Sequence, residues 1–152
     1  MKSKLVKIIV ALVVIGLIYV GYMWFMPHRD IQSTKAFKTI GATALVNEFL
    51  TDKESANQLY LDTEGESKVL IVSGTIAAIS TDQLGQQVIL LKDSDEKMGV
   101  SCTFTLETNA QTSNLAQGSN IRVKGVLRSG AEYDEDLVLT ENVILEKCSI
   151  EK

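Results

Sequence analysis

Three basic residues, Arg122, Lys124 and Arg128, have the types and spacing that most suggest binding chemistry. They have equal parity along a predicted strand, and alternation places side chains of equal parity on one face. Cationic side chains bind phosphate, so the row predicts contact with phosphate or another anionic ligand. Nearby acidic residues leave a second interpretation, in which the row is a solvated face paired with those acids.

A loop before the last predicted strand places four acids around one aromatic residue, Tyr133; the acids are Glu132, Asp134, Glu135 and Asp136. Carboxylates at this density could hold a hard cation or a basic partner, but their spacing is not that of an EF-hand. Repulsion among them favours an extended, solvated loop. Because loops often carry recognition sites, residues 130–134 are a candidate ligand-binding segment, with Tyr133 as the candidate residue.

The residues needed for most catalytic or metal chemistry are scarce. The 152 residues include one histidine, His28, and two cysteines, which cannot form a four-thiolate zinc site. The sequence contains no Cys-x-x-Cys pair, glycine-rich phosphate loop or nucleophile–base pair. We therefore expect no enzyme activity, catalytic residue, metal or cofactor. His28 is expected to be an ordinary polar residue next to the membrane.

An uncharged apolar run from residue 8 to residue 26 predicts a transmembrane helix, because about 20 apolar residues cross a bilayer core. Lysines precede the run and aromatic residues cluster at its far end, as at membrane interfaces: Lys2, Lys4, Lys7, Tyr19, Tyr22, Trp24 and Phe25. A cleaved signal peptide would end in a small-x-small site, whereas this run ends in bulky residues. A buried core helix would have a polar face, which this run lacks. The run therefore predicts an uncleaved signal anchor.

The orientation of this anchor depends on a small difference. Three basic residues precede the run and three follow it closely, so the positive-inside rule nearly ties. The short basic tail, residues 1–7, and its free amine favour an N-terminus inside and an exported domain, periplasmic or extracellular in a bacterium. All 19 acidic residues follow the run with 12 of the 15 basic ones, so residues 27–152 carry a formal charge of −7. A nucleic-acid-binding surface is usually basic, and this domain is acidic.

Beyond the run, the sequence pattern changes from helical to strand-like. Residues 27–42 are polar without a clear period and predict a tether. Apolar spacing then predicts one helix over residues 43–61 with Thr43 as its cap, or two helices that abut at Thr51 with Asp52 as the second cap. Five strands are predicted near residues 69–79, 88–91, 100–104, 121–128 and 137–150, with a short helix or loop at 109–117.

Glycines inside the first and fourth strands, Gly74 and Gly125, favour a small barrel, because bends there let one strand pair with two neighbours. Five strands, a short helical connection and a final hairpin match the five-stranded Greek-key barrel called the OB-fold. The predicted class is mainly β, with the barrel and its N-terminal helix over residues 43–151. An immunoglobulin-like sandwich is the alternative; it requires about seven strands and a Trp between two cysteines.

The order and spacing of these segments, including both cysteines, resemble the OB-fold family named for its likeness to tRNA anticodon-binding domains (tRNA_anti-like). The resemblance covers segments 46–49, 56–60, 70–79, 100–104, 115–125 and 143–150. It implies the OB-fold. It implies no activity, because the family name records a likeness of fold and fold does not fix function.

The two cysteines fall on strands that neighbour each other in an OB barrel, the third and the fifth. In an oxidising compartment, Cys102 and Cys148 would form a disulfide that stabilises the fold by roughly 3–5 kcal/mol. The alternative is two buried thiols that act as small apolar groups.

These features together predict a non-catalytic binding module at the membrane surface, for a protein, a small ligand or an anionic ligand. Single-stranded nucleic acid is the alternative, which the basic row and the resemblance support. OB-folds that bind single strands stack bases on exposed aromatic residues. The five predicted strands contain one aromatic residue, Phe104, and its parity with Val100 and Cys102 places it inside the barrel. Nucleic acid is therefore less favoured.

Overall fold

The computed structural model describes residues 2–25 and 30–152, and its contacts divide the chain into two units, Met1–Asp30 and Ile31–Lys152. His28, for which a polar juxtamembrane role is predicted, lies outside the described residues.

The first unit contains a single described helix, α1 (Lys2–Trp24). Its segment Val6–Trp24 is long and apolar enough to cross a membrane, with a mean hydropathy of 2.4. A helix satisfies its backbone hydrogen bonds internally, which any segment in hydrocarbon must do. A helix is present where residues 8–26 predict one, but it begins earlier, at Lys2, and ends at Trp24; residue 26 lies outside the described residues.

The second unit begins with a strand in the stretch predicted to be a tether. This strand, β1 (Lys38–Gly41), pairs in parallel with residues 70–73. Two helices follow, α2 (Ala42–Thr51) and α3 (Lys53–Tyr60), so the two-helix alternative is confirmed.

The caps of these helices agree only in part with the sequence pattern. Asp52 caps α3 by accepting the backbone N–H of Ser55, as predicted. The predicted cap at Thr43 is wrong, because α2 starts directly after Gly41, without a side-chain cap. Thr43 instead donates its hydroxyl to Asp93 at 3.3 Å.

The remaining strands are β2 (Val69–Thr81), β3 (Gln87–Leu91), β4 (Val100–Phe104), β5 (Asn120–Ser129), β6 (Glu132–Asp134), β7 (Leu139–Glu141) and β8 (Val143–Ile150). The main sheet has the order β1-β2-β3-β4-β8-β5, and pairing of β2 with β5 closes it into a barrel. A 3₁₀ helix (Asn109–Thr112) lies between β4 and β5, and β6 and β7 form a separate hairpin. The OB-fold prediction is confirmed, and the immunoglobulin-like sandwich is wrong.

The barrel closes tightly where β5 crosses β8. A Cβ atom at Gly125 would lie 2.7 Å from the Sγ atom of Cys148, so only glycine fits this crossing. The core fills the barrel and extends beneath α2 and α3, with Phe104 fully buried as predicted.

A bulge in β8 changes which side chains face the core. Lys147 has a φ of 53°, and the register with both neighbouring strands shifts around it. Leu145 and Cys148 are both buried although strict alternation would place them on opposite faces. The bulge therefore brings Cys148 into the core.

Candidate binding site

The outer face of β3 and β4, where OB-folds commonly bind oligonucleotides, is uncharged. Its outward-facing residues are half-buried: Val88, Leu90, Ser101 and Thr103. In these two fully described strands no residue is charged, and the single aromatic residue, Phe104, is buried. Single-stranded nucleic acids need cationic grooves and aromatic stacking, and this face provides neither.

The three basic residues of β5 share one face, as alternation predicts, but two of them already have partners. The ammonium of Lys124 donates to the backbone carbonyl of Gln32 at 2.8 Å. Nε of Arg128 lies 4.0 Å from the Glu146 carboxylate. Arg122 is exposed. Only the Arg128 contact corresponds to pairing of the row with nearby acids, because the partner of Lys124 is a backbone carbonyl.

The segment before β1 covers the side of β2 that faces away from the core. Ile31, Val69 and Ile71 are buried outside the main core cluster. The backbone N–H of Phe37 donates to the Val69 carbonyl at 2.7 Å. Since Lys124 binds the same segment, the outer faces of β2 and β5 are partly occupied by the chain itself.

A cavity of about 470 Å³ lies between α2 and the root of the β6–β7 hairpin. Its floor is apolar and buried, formed by Phe49, Met98 and Ala131. Gly130 lets the chain leave the barrel against the Phe49 ring, because a Cβ atom at this position would overlap that ring. The cavity therefore depends on core packing at the root of the hairpin.

The rim of this cavity is charged and aromatic. Nζ of Lys53 lies 2.6 Å from the Glu132 carboxylate, and the Lys97 ammonium lies 6.0 Å from the centroid of the Tyr133 ring. Tyr133, the predicted candidate, thus lies at the edge of a cavity. An apolar floor with a few polar groups is the usual composition of a ligand site. The lysines share no motif with Tyr133, so the sequence pattern does not predict them.

Beyond the cavity, the hairpin ends in three consecutive exposed apolar residues, which we call the hairpin tip. Leu137, Val138 and Leu139 are 65%, 72% and 55% exposed. The Asp134 carboxylate accepts the backbone N–H groups of Asp136 and Leu137 and so fixes the turn. Val138 has a φ of 52°, a left-handed conformation that β-branched residues rarely adopt.

Five acidic residues of the hairpin flank the tip along the chain, and we call them the acidic collar: Glu132, Asp134, Glu135, Asp136 and Glu141. Glu132 and Glu141 pair at the root of the hairpin, where Glu132 also contacts Lys53. All five are exposed. Within the part of the chain that the structure describes, no three His, Cys, Asp or Glu side chains group as metal ligands would.

The two cysteines lie on paired strands, Cys102 on β4 and Cys148 on β8, within hydrogen-bonding reach of one another. Both are free thiols and fully buried. Burial and contact with Cys102 raise the pKa of the Cys148 thiol well above its ordinary range. The predicted pairing of their strands is confirmed, but the two sulfur atoms do not lie at disulfide distance. The predicted disulfide is not formed in the structure, where the thiols pack as small apolar groups.

Three side chains from three elements form a polar cluster that fastens β1 to the helices. Lys38 donates to Glu48 at 2.7 Å and to the Tyr60 hydroxyl at 3.0 Å, and the buried Tyr60 donates to the other Glu48 oxygen. Burial would raise the pKa of Glu48, but hydrogen bonds from Lys38 and Tyr60 outweigh it and lower that pKa. The hydrogen bonds to Glu48 and Tyr60 raise the pKa of Lys38.

Known proteins resemble this chain in family and in fold. The sequence profile described as tRNA_anti-like matches residues 1–144. A lipoprotein from Klebsiella pneumoniae subsp. pneumoniae MGH 78578, provisionally named as nucleic acid-binding, superposes with a TM-score of 0.53 at 18% identity, over 84% of this chain and 100% of its own. A chain of the S. pombe Stn1-ten1 complex gives a TM-score of 0.38 at 17% identity, over 55% of this chain and 58% of its own. No curated protein matches the sequence.

Proposed function

The chain belongs to the tRNA_anti-like family, and we propose that it is a membrane-anchored, non-catalytic binding module whose ligand is a protein. The observation that supports this most directly is the cavity at the hairpin root, with its floor of Phe49 and Met98 and its rim of Lys53, Lys97 and Tyr133. An apolar centre with a polar rim is also the composition of protein interfaces.

Nucleic acid has less support as the ligand. The β3–β4 face is uncharged, Lys124 and Arg128 have partners, and the domain carries a formal charge of −7 over residues 27–152. Strong phosphate binding needs several cations, and the row on β5 offers Arg122 and the loosely paired Arg128, since Lys124 is bound to the Gln32 carbonyl.

A photoreactive amino acid tests which side of the barrel contacts the ligand. When the photoreactive residue replaces Tyr133, it lies on the cavity rim. When it replaces Thr103, it lies on the β3–β4 face and serves as the matched control. We expect irradiated cells to give a protease-sensitive, nuclease-resistant adduct from position 133 and none from position 103. A nuclease-sensitive adduct at either position, or an adduct from position 103 alone, would contradict the proposal.

We further propose that α1 is an uncleaved anchor with its N-terminus inside and the barrel exported. Its apolar segment Val6–Trp24 supports the anchor, and the short basic tail with its free amine supports the orientation. Reporter enzymes fused to the C-terminus, one active only after export and one active only in the cytoplasm, measure the orientation directly. Activity of the cytoplasmic reporter alone would reverse it.

We further propose that in an exported chain Cys102 and Cys148, which are free thiols in the structure, approach to bonding distance and form the disulfide by giving up two protons and two electrons to a disulfide-carrying oxidoreductase. Alkylation of the denatured protein counts its free thiols. We expect none in the exported protein and two after reduction, with Cys102→Ala giving one free thiol as the mass control. Two free thiols in an exported chain would contradict this pairing.

A further inference from the structure

We propose that the hairpin tip, residues 137–139, is a docking element for a basic amphipathic segment of a partner protein. This inference rests on the proposed function, because the inference specifies the chemistry of the protein ligand that is proposed to bind on the hairpin side of the barrel.

The apolar side chains of the tip do not contribute to the barrel core. The hairpin strands pair only with each other in the described sheets, and none of Leu137, Val138 and Leu139 belongs to the core cluster. Polar residues would hold this turn equally well. Contiguous exposed apolar groups on a soluble domain mark interaction surfaces, because their burial against a partner is favourable.

The turn that carries the tip is closed by side-chain-to-backbone hydrogen bonds. Asp134 accepts two backbone N–H groups across the turn, and Val138 keeps a left-handed φ despite its branched side chain. Non-glycine residues in this conformation are concentrated at ligand-binding and switch sites. A pre-organised turn loses little conformational entropy on binding, so it suits a docking element.

The charges around the tip select the partner. The acidic collar is exposed, and the domain that carries it is acidic overall. Such a surface attracts a basic segment and repels anionic lipid and nucleic acid. An apolar tip inside an acidic collar is therefore complementary to a segment with one apolar face and one basic face.

A peptide probe tests this with the full chain in nanodiscs of zwitterionic lipid. The probe is a fluorescent amphipathic helix of Leu and Lys, and its counterpart carries Glu in place of Lys. Fluorescence anisotropy is expected to show saturable binding of the Lys peptide, weakened by salt, and no binding of the Glu peptide.

The combined variant Leu137→Ser, Val138→Gly, Leu139→Ser is expected to weaken binding of the Lys peptide at least about tenfold, since three apolar contacts are lost. The matched control is Leu84→Ser, which removes a 76% exposed leucine from the β2–β3 turn and is expected to bind as the parent does. Glu135→Gln with Asp136→Asn is expected to weaken binding about threefold at low salt and not at high salt. Unchanged unfolding midpoints show that all variants fold.

Three results would overturn the docking element. One is equal binding of the Lys peptide by the tip variant and the parent. The second is tip-dependent binding of phosphatidylglycerol vesicles, which would assign the tip to a membrane. The third is tip-dependent self-association in sedimentation, which would assign it to a second copy.

The same measurements separate this inference from the proposed function. If Tyr133→Ala abolishes peptide binding while the tip variant binds normally, the proposal of a protein ligand is retained and the proposal that the tip docks it is wrong. If the chain binds a single-stranded oligonucleotide but neither peptide, and Arg122→Ala reduces that binding, the proposed function itself fails.

Discussion

The barrel and the hairpin place the same types of residue in opposite environments. In the barrel, Leu127 and Leu145 are almost completely buried, whereas Leu137, Val138 and Leu139 of the hairpin are mostly exposed. The barrel closes on itself, so its apolar side chains find partners within the domain. In the described sheets the hairpin strands pair only with each other, and the helices α2 and α3 approach the hairpin at its root.

This contrast separates two roles for apolar residues in one chain. Where burial is complete, a leucine stabilises the fold, and its loss leaves a cavity. Where exposure is high, a leucine contributes little to the free energy of unfolding and is available to a partner. Substitutions in the barrel should therefore mainly lower stability, and substitutions at the hairpin tip should mainly weaken binding.

The largest effect is expected inside the barrel. Leu127→Ala should lower the free energy of unfolding by about 2–5 kcal/mol, because it removes a buried side chain from packed surroundings. Denaturant unfolding of the full chain, followed by circular dichroism, measures the change. A loss below about 1 kcal/mol would show that the barrel interior repacks easily and would weaken the contrast with the hairpin.

A substitution at the root of the hairpin should lower the free energy of unfolding, as a substitution in the barrel does. Gly130→Ala places a methyl group in the Phe49 ring, so we expect destabilisation of about 1–3 kcal/mol. The same unfolding experiment measures it, with Gly41→Ala as the control, because Gly41 has an ordinary backbone φ of −74° and no atom lies near the new methyl group. Equal effects of the two variants would mean that the loss of glycine itself, and not the Phe49 contact, sets the cost.

A smaller effect is expected where β1 joins the helices. Glu48→Gln should lower stability at neutral pH by about 1 kcal/mol or less, since the Lys38–Glu48 pair is partly exposed. Because the folded state lowers the pKa of Glu48 from 4.5, the stabilisation is present above that pH and is lost as pH falls through the lowered pKa.

Unfolding of both proteins at neutral pH and at about pH 3 measures this effect. The difference between the parent and Glu48→Gln should shrink at the lower pH. A difference that is the same at both pH values would mean that the glutamate stabilises the fold without its charge.

The smallest effect on stability is expected at the tip. Val138→Gly removes an exposed side chain at a φ of 52°, where glycine is unstrained, so the free energy of unfolding should change by about 0.5 kcal/mol or less. Leu139→Ala, at a side chain that is also mostly exposed, should change the free energy of unfolding by a similarly small amount. A loss comparable to that of Leu127→Ala would show that the tip is part of the core and would remove the contrast.

Local patterns in the sequence predict most of the barrel. Alternation identifies β4 and β5, and Asp52 marks the break between α2 and α3. The glycines at 74 and 125 lie where neighbouring side chains approach the strand closely. Each of these patterns lies within a few residues of the element that it predicts. The element can therefore be predicted without knowing which distant segment it contacts.

What the sequence does not predict depends on contacts between distant segments. Strand β1 is four residues long, and it forms a strand because it pairs with β2 about thirty residues later in the chain. The cavity combines α2, the β3–β4 loop and the hairpin, and Lys38, Glu48 and Tyr60 come from three elements. Their pairing is set by tertiary geometry, which no local period records.

The parallel pairing of β1 with β2 determines how the domain would carry mechanical load. Any tension transmitted along the chain from the N-terminal helix enters the barrel unit through the segment that leads into β1. A pull directed along β1 acts on its four paired residues, Lys38 to Gly41, together, and the Lys38 contacts with Glu48 and Tyr60 share the load with the helices. The first strand would then take up force from the N-terminal helix before that force reaches the β2–β5 pairing that closes the barrel.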